Sequence, residues 1–232
     1  MSVVSEMFEG LFGLFWPNVC ACCSKGLVRG EQFVCSHCMH ELPTTHFHKE
    51  QDNPVAQMFF GRVMVEHATA GYYFRKGNSI QNLMHQIKYK GQKEMGAMLG
   101  KETGKSLCNT RFAESDLLVP VPLHPQKLRK RGYNQSEWIA RGIADALGKP
   151  VDVQTLIRRI FTTSQTRKKR YDRWENVDSG FGLTNPEAFA GRHILLIDDV
   201  ITTGATLEAC MHAVLMAPDT KVSVATLAFA SA

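Results

Sequence analysis

The sequence has no run of apolar residues approaching the roughly 18 that a membrane-spanning helix requires, which argues against membrane insertion. Its opening, Met1-Ser-Val-Val-Ser-Glu-Met-Phe-Glu-Gly-Leu-Phe-Gly-Leu-Phe-Trp16, is apolar. It nevertheless lacks the basic start and small-residue cleavage site of a secretory leader, and Glu6 and Glu9 interrupt it. Export is not expected; a cytoplasmic protein is. There is no internal repeat and no low-complexity tract, so neither a repeat array nor an extended disordered segment is indicated. A P-loop is also missing. That motif needs Gly-x-x-x-x-Gly-Lys-Ser/Thr, but Gly104-Lys105-Ser106 has Leu99 where the first glycine belongs, with Gly100 one residue out of register and the whole segment in a helical pattern.

What is present fits a globular, enzyme-sized chain. Of 232 residues, 44% are hydrophobic and 21% charged, enough for a substantial core. The net charge of +5 is unevenly spread. Residues 126–173 hold 13 Lys or Arg against 4 Asp or Glu, a local +9, so the remainder is net negative. Such a segment suits an anionic partner, either nucleic acid or a polyphosphate, although a solvated basic surface would have the same composition.

The pattern along the chain alternates. Five of the seven cysteines fall in residues 20–38, and a polar stretch without periodicity follows, which divides the chain into a small module with its linker over 1–55 and a larger domain over 56–232. Residues 63–74, rich in β-branched and aromatic side chains, predict one or two strands, and Ile80, Leu83, Met84 and Ile87 recur at helical spacing. Further helical patterns cover 92–107 and 136–147. Strands are expected at 116–122, 193–197 and 221–229, with a helix starting near Ala205. Strands alternating with helices indicate an α/β fold with a mainly parallel sheet.

The chemistry concentrates in Ile194-Leu-Leu-Ile-Asp-Asp-Val-Ile-Thr-Thr-Gly-Ala-Thr206. An apolar strand ends on two adjacent carboxylates, followed by a small hydroxyl- and glycine-containing loop and a helix start. Ligands of open α/β sheets bind beyond the carboxyl ends of strands. Thr202, Thr203, Gly204, Ala205 and Thr206 supply backbone N–H groups, hydroxyls and a helix N-terminus suited to a phosphate monoester. Gly204 would let the backbone approach the ligand closely. Asp198 and Asp199 could accept hydrogen bonds from vicinal ribose hydroxyls. The stretch resembles the signature with which type I phosphoribosyltransferases bind phosphoribosyl pyrophosphate (PRPP).

A second segment, Val119-Pro-Val-Pro-Leu-His-Pro-Gln-Lys-Leu-Arg-Lys-Arg-Gly-Tyr-Asn-Gln135, follows another strand and reads as a donor-rich loop. Arg129 and Arg131 are the right chemistry for a pyrophosphate. Pro120 to His124 with Arg131 to Gln135 resembles the pyrophosphate loop of the ComF family. Ile87-Lys-Tyr-Lys-Gly91 resembles that family's early helix end, and Gln165, Arg173, Asn176, Val177 and Phe181 its mobile loop, apart from Lys168 where an apolar residue is expected. The resemblance runs from about Trp16 onward. It implies a type I phosphoribosyltransferase fold preceded by a zinc-ribbon-like module, with Mg²⁺ arriving on PRPP and a link to DNA uptake.

Cys20-x-x-Cys23 and Cys35-x-x-Cys38 are two chelating pairs with the spacing of a closed structural zinc site. Paired spacing in a cytoplasmic setting favours a metal over disulfides. Cys22 is a spare thiol that leaves the ligand choice open, His37 and His40 are alternatives, and the isolated Cys108 and Cys210 read as core residues.

The expected function is transfer of a phosphoribosyl group from Mg-PRPP to a nitrogen base or related acceptor, linked to DNA uptake or nucleotide metabolism. Asp198, Asp199, Arg129 and Arg131 form the expected catalytic set. The rival is a non-catalytic, single-stranded-DNA-binding competence accessory that keeps the PRPP pocket. Candidate partners are PRPP, single-stranded DNA, competence proteins and a second copy of the chain. No general base and no acceptor-binding hood are legible.

Overall fold

The computed structural model describes residues 18–159 and 180–230. Its strands are β1 (Ala68–Phe74), β2 (Leu117–Pro120), β3 (Leu156–Arg158), β4 (Phe181–Leu183), β5 (His193–Ile201) and β6 (Lys221–Ala230). The principal helices are α1 (Ser79–Tyr89), α2 (Lys93–Leu107), α3 (Pro125–Arg131), α4 (Gln135–Leu147) and α5 (Ala205–Val214). β1, β6, β5 and β2 lie side by side in that order, and every pair is parallel. β3 and β4 form a separate antiparallel pair.

The central strands are apolar on both faces because both are covered. Ile194 and Leu196 of β5 share one buried cluster with Leu207, Met211 and Val214 of α5. Leu195 and Ile197 share the other with the opposite layer, namely Leu83 and Ile87 of α1, Leu99 of α2, and Ile139 and Ile143 of α4. The period-two alternation of one strand therefore feeds two cores.

Two of the helices begin where a side chain satisfies their first free N–H groups. Asn78 accepts from Gln81 N at 3.0 Å to start α1, and Asn134 accepts from Ser136 N at 3.2 Å to start α4. Gly148 ends α4 in the left-handed conformation, φ 64°. Gly104-Lys105-Ser106 lies within α2, in agreement with its rejection as a P-loop.

Several boundaries differ from expectation. β5 extends through Ile201 and so includes both aspartates. The polar stretch after the cysteines is partly built onto the sheet: Tyr73 N donates to Pro43 O at 2.7 Å and Thr45 N to Gly71 O at 3.0 Å, along the outer edge of β1. Cys108, expected in the core, is exposed at the end of α2, with its Sγ 3.4 Å from the carbonyls of both Gly104 and Ala146. Cys210 is buried, as expected. Among the described residues no helix is long and apolar enough to cross a membrane.

Candidate functional site

In a parallel sheet all carboxyl ends open on one edge. There β5 delivers Asp198 and Asp199, and the chain turns through residues 202–204 into α5. Thr202, Thr203, Ala205 and Thr206 are exposed, while Gly204 is buried with φ 75°. A Cβ at Gly204 would lie 3.1 Å from Cε1 of Phe59, so the packing behind the loop, as well as the positive φ, selects glycine there. Arg62 braces the turn by donating to Thr203 O at 3.5 Å and pairing with Glu208. No side chain caps α5 through its own oxygen at the N-cap position. Ala205 N donates to Thr203 Oγ1 at 3.5 Å, and the N–H groups that follow have no intrahelical partner, which leaves donors beside the threonine hydroxyls.

The donor-rich segment read as a loop is largely helical. Pro125 occupies the first turn of α3, His124 caps it by accepting from Gln126 N at 3.2 Å, and Gly132 closes it at φ 80°. Arg129 is exposed on its last turn and makes no ion pair with another described residue. Arg131 is half-buried, with its guanidinium carbon 5.2 Å from the ring centroid of Tyr89.

The two short family-like motifs meet each other. The Tyr133 hydroxyl donates to Ile87 O, and Arg131 covers Tyr89. Asn134 donates to Val121 O at 3.0 Å and so ties the end of β2 to the start of α4. Both motifs then reach the carboxylates: Lys88 Nζ is 2.9 Å from Asp199 Oδ2, and Gln135 Nε2 donates to the same oxygen at 2.8 Å. Ser136 Oγ donates to Asp198 Oδ1 at 2.9 Å. Sequence reasoning had not assigned Lys88 or Ser136 to the site. Burial, and then the neighbouring Asp199 charge, push the Asp198 carboxyl up to about 7.

Of the proposed mobile-loop residues only Phe181 is described, buried in β4; Gln165, Arg173, Asn176, Val177 and the basic run 167–170 lie outside the described residues. A cavity of about 700 Å³ lined by His48, His67, Thr110 and Arg111 sits near Ala68, the first residue of β1, and thus at the opposite edge of the sheet from the aspartates.

The cysteines form a second centre. Ligand atoms of Cys20, Cys23, Cys35 and Cys38 all lie within 4.8 Å of one another. Cys23 Sγ and Cys35 Sγ are 3.8 Å apart. A tetrahedral ion with bonds of about 2.3 Å to sulfur has ligand edges of roughly 3.8 Å, so the donor set fits such an ion. Cys20 Sγ accepts from Cys22 N at 3.4 Å and Cys35 N at 3.3 Å. Burial raises the Cys20 thiol, but the backbone donors from Cys23, Cys35 and Cys22 outweigh it and bring it down to about 6, which favours the ligating thiolate. Cys22 stands outside the four, and burial and then the Cys20 charge push its thiol up to about 11.

The phosphoribosyl transferase domain family matches residues 134–232, the part that contains α4, both aspartates and the loop into α5. The DNA utilization protein YhgH of Salmonella typhi is 33% identical over 129 residues, covering 54% of this chain and 56% of that protein. Competence protein F of Haemophilus influenzae is 33% identical over 95 residues, covering 40% of this chain and 41% of the relative. The chain is similar to ComF-family competence and DNA-utilization proteins. YhgH of Escherichia coli K12 gives a longer alignment, 27% identical over 199 residues, covering 82% of the chain and 81% of the relative. The chain thus spans about half the length of the first of these relatives. With its parallel sheet between helical layers, the chain has the phosphoribosyltransferase fold, preceded by a four-cysteine cluster.

Proposed function

We propose that the domain binds Mg-chelated PRPP and transfers its phosphoribosyl group to a nitrogen of a base or related acceptor. The observation that carries this reading is the convergence at one sheet edge of the aspartate pair, the hydroxyl-rich turn into α5 and the segment bearing Arg129 and Arg131.

In that reading, Thr202, Thr203, Gly204, Ala205 and Thr206 hold the 5′-phosphate with N–H and hydroxyl donors at the positive end of α5. The aspartates accept from ribose hydroxyls and fix the sugar. Arg129 and Arg131 stabilise the charge that develops on departing pyrophosphate. The four-cysteine cluster holds zinc in a closed structural site through Cys20, Cys23, Cys35 and Cys38, with no position left for catalysis.

Calorimetric titration with Mg-PRPP tests the reading directly. The wild type should bind, and Asp198→Asn combined with Asp199→Asn should lose at least about tenfold in affinity, since hydrogen bonds to charged groups contribute on the order of 1.5–3 kcal/mol. A folded wild type that does not bind Mg-PRPP would refute it.

Asp198 also carries a stability signature. Its folded-state value of about 7 lies above the ordinary 3.8, so the folded chain retains a proton that the unfolded chain has released. Stability therefore declines as pH rises between those values and stays reduced above them. Asp198→Asn should melt higher than wild type at pH 8, by an amount on the order of 1–3 kcal/mol, and the gain should shrink toward pH 4. A variant that melts below wild type at pH 8 would contradict this.

A second reading is favoured by the exposed Lys127, Arg129 and Lys130 on α3 and by the relatives' names: a DNA-binding competence accessory that keeps the pocket without transfer. Steep salt-dependent binding of single-stranded DNA that is lost on charge reversal of α3, with no turnover of PRPP, would favour it.

A further inference from the structure

The two aspartates have different surroundings. Successive residues of a strand point to opposite faces, so Asp198 follows Ile194 and Leu196 while Asp199 follows Leu195 and Ile197. Their partners differ, although each receives one side-chain donor from the start of α4. Asp199 is only 7% exposed, and both its oxygens are occupied. Oδ2 receives Lys88 Nζ at 2.9 Å and Gln135 Nε2 at 2.8 Å, and Oδ1 receives Val200 N. Asp198 Oδ1 receives Ser136 Oγ and Asp199 N, whereas its Oδ2 has no donor among the described residues.

Lys88 is itself held in place. The residue before it offers its carbonyl to Tyr133, and the residue after it lies under Arg131. Its side chain is 23% exposed and that of Asp199 10%, so water screens the pair poorly and its geometry is strongly determined.

We propose that Lys88 is a positioning residue of the phosphoribosyl pocket: with the Gln135 amide it holds the Asp199 carboxylate toward α1 and α4, leaving Asp198 Oδ2 as the acceptor presented to a ribose hydroxyl. This rests on the PRPP reading. It also narrows it, because Asp199 acts through its neighbour and through the register of two helices rather than by contact with sugar.

Electrostatics supply a readout. Lys88 favours the ionised form of Asp198, against burial and the Asp199 charge. The other groups facing Asp198 are Ser136 from α4 and the buried Cys210 thiol of α5, which senses Asp198 and Arg158. Removing the ammonium should leave Asp198 harder to ionise, so Mg-PRPP binding should need a higher pH.

The test is titration of wild type, Lys88→Met and Lys88→Arg with Mg-PRPP from pH 5.5 to 8.5, with a thermal melt of each protein. Lys88→Met is expected to bind about tenfold more weakly at neutral pH, with its binding midpoint displaced upward by roughly one pH unit, and Lys88→Arg to recover most of the loss. An unchanged midpoint in folded Lys88→Met, or equal weakening in both variants, would overturn the proposal. If Lys88→Met fails to fold, adding Asp199→Asn removes the stranded carboxylate. The double variant should then melt higher than Lys88→Met alone and bind Mg-PRPP through Asp198 with its midpoint moved back down, because the Asp199 charge that opposed Asp198 ionisation is gone as well; absence of that recovery overturns the pairing. A wild type that binds no Mg-PRPP at any pH removes the PRPP reading itself, whereas normal wild-type binding with an indifferent Lys88 removes only this proposal.

Discussion

Gly142→Ala is expected to lower the melting temperature by roughly 3–10 °C, although it adds a single methyl group inside a helix. A Cβ at Gly142 would lie 2.0 Å from Ala97 O and 2.8 Å from both Ala97 C and Lys101 N. These are backbone atoms of α2, so no rotamer change relieves the clash and the helices must separate. The contact is reciprocal: a Cβ at Gly100 would lie 2.3 Å from Ile139 O on α4. Forcing extra volume into such packing costs about 1–3 kcal/mol or more, which exceeds the roughly 0.5–1 kcal/mol that alanine gains over glycine in a helix. Gly96→Ala, on the same face of α2, is the control. Its Cβ would meet nothing nearer than 3.6 Å, so the helical gain should prevail and the protein should melt at or above the wild-type temperature. Equal melting of the two variants would mean that α2 and α4 do not approach backbone to backbone.

This close crossing shows what the sequence could and could not disclose. Gly96, Gly100 and Gly104 recur every four residues, but the spacing does not name the helix they face, and Gly104-Lys105-Ser106 was legible only as a failed phosphate motif. The aspartate turn was legible because everything it needs is local: an apolar strand, two carboxylates, then Thr-Thr-Gly-Ala-Thr. Lys88 and Ser136 were missed for the opposite reason. Each meets β5 only after the chain has folded, and neither differs in sequence from an ordinary helix-end lysine or a helix-start serine. The α3 helix escaped notice because it buries no side chain, so Gln-Lys-Leu-Arg-Lys-Arg shows helix-forming residues without apolar periodicity. Pro125 and Gly132 were its only punctuation. Periodicity likewise predicted where strands lie but not that β5 would carry both carboxylates inside the ladder, where Ile201 still pairs with Phe229.

The cysteine cluster leads to the last expectation. Residues 18–42 have almost no regular structure: two isolated bridges, Val19 with Gly26 and Gln32 with Val34, and the short helix Ser36–His40, which buries no residue. What they do bury is Cys20, Val34 and Leu42, and these join the cluster that contains Ile80, Leu83 and Ile87 of α1. So small a segment cannot hold itself by apolar burial, and its order should depend on the bound ion. Removing the metal with a strong chelator, or replacing Cys35 with serine, should abolish amide-exchange protection in residues 18–42 and destabilise the chain by several kcal/mol, while β5 and β6 stay protected. Metal analysis of the untreated protein should give one zinc per chain. The damage should also travel along one helix. Asn82 and Gln86 donate to Ala21 O at 2.9 and 3.4 Å from the same α1 whose last turn carries Lys88 to Asp199. Loss of that dock should loosen the Lys88 end and weaken Mg-PRPP binding, less than Lys88→Met does because Tyr133 and Arg131 still clamp the helix terminus. Full protection of residues 18–42 in a metal-free chain would instead mean that packing against α1 suffices and that the four thiols are not structural ligands.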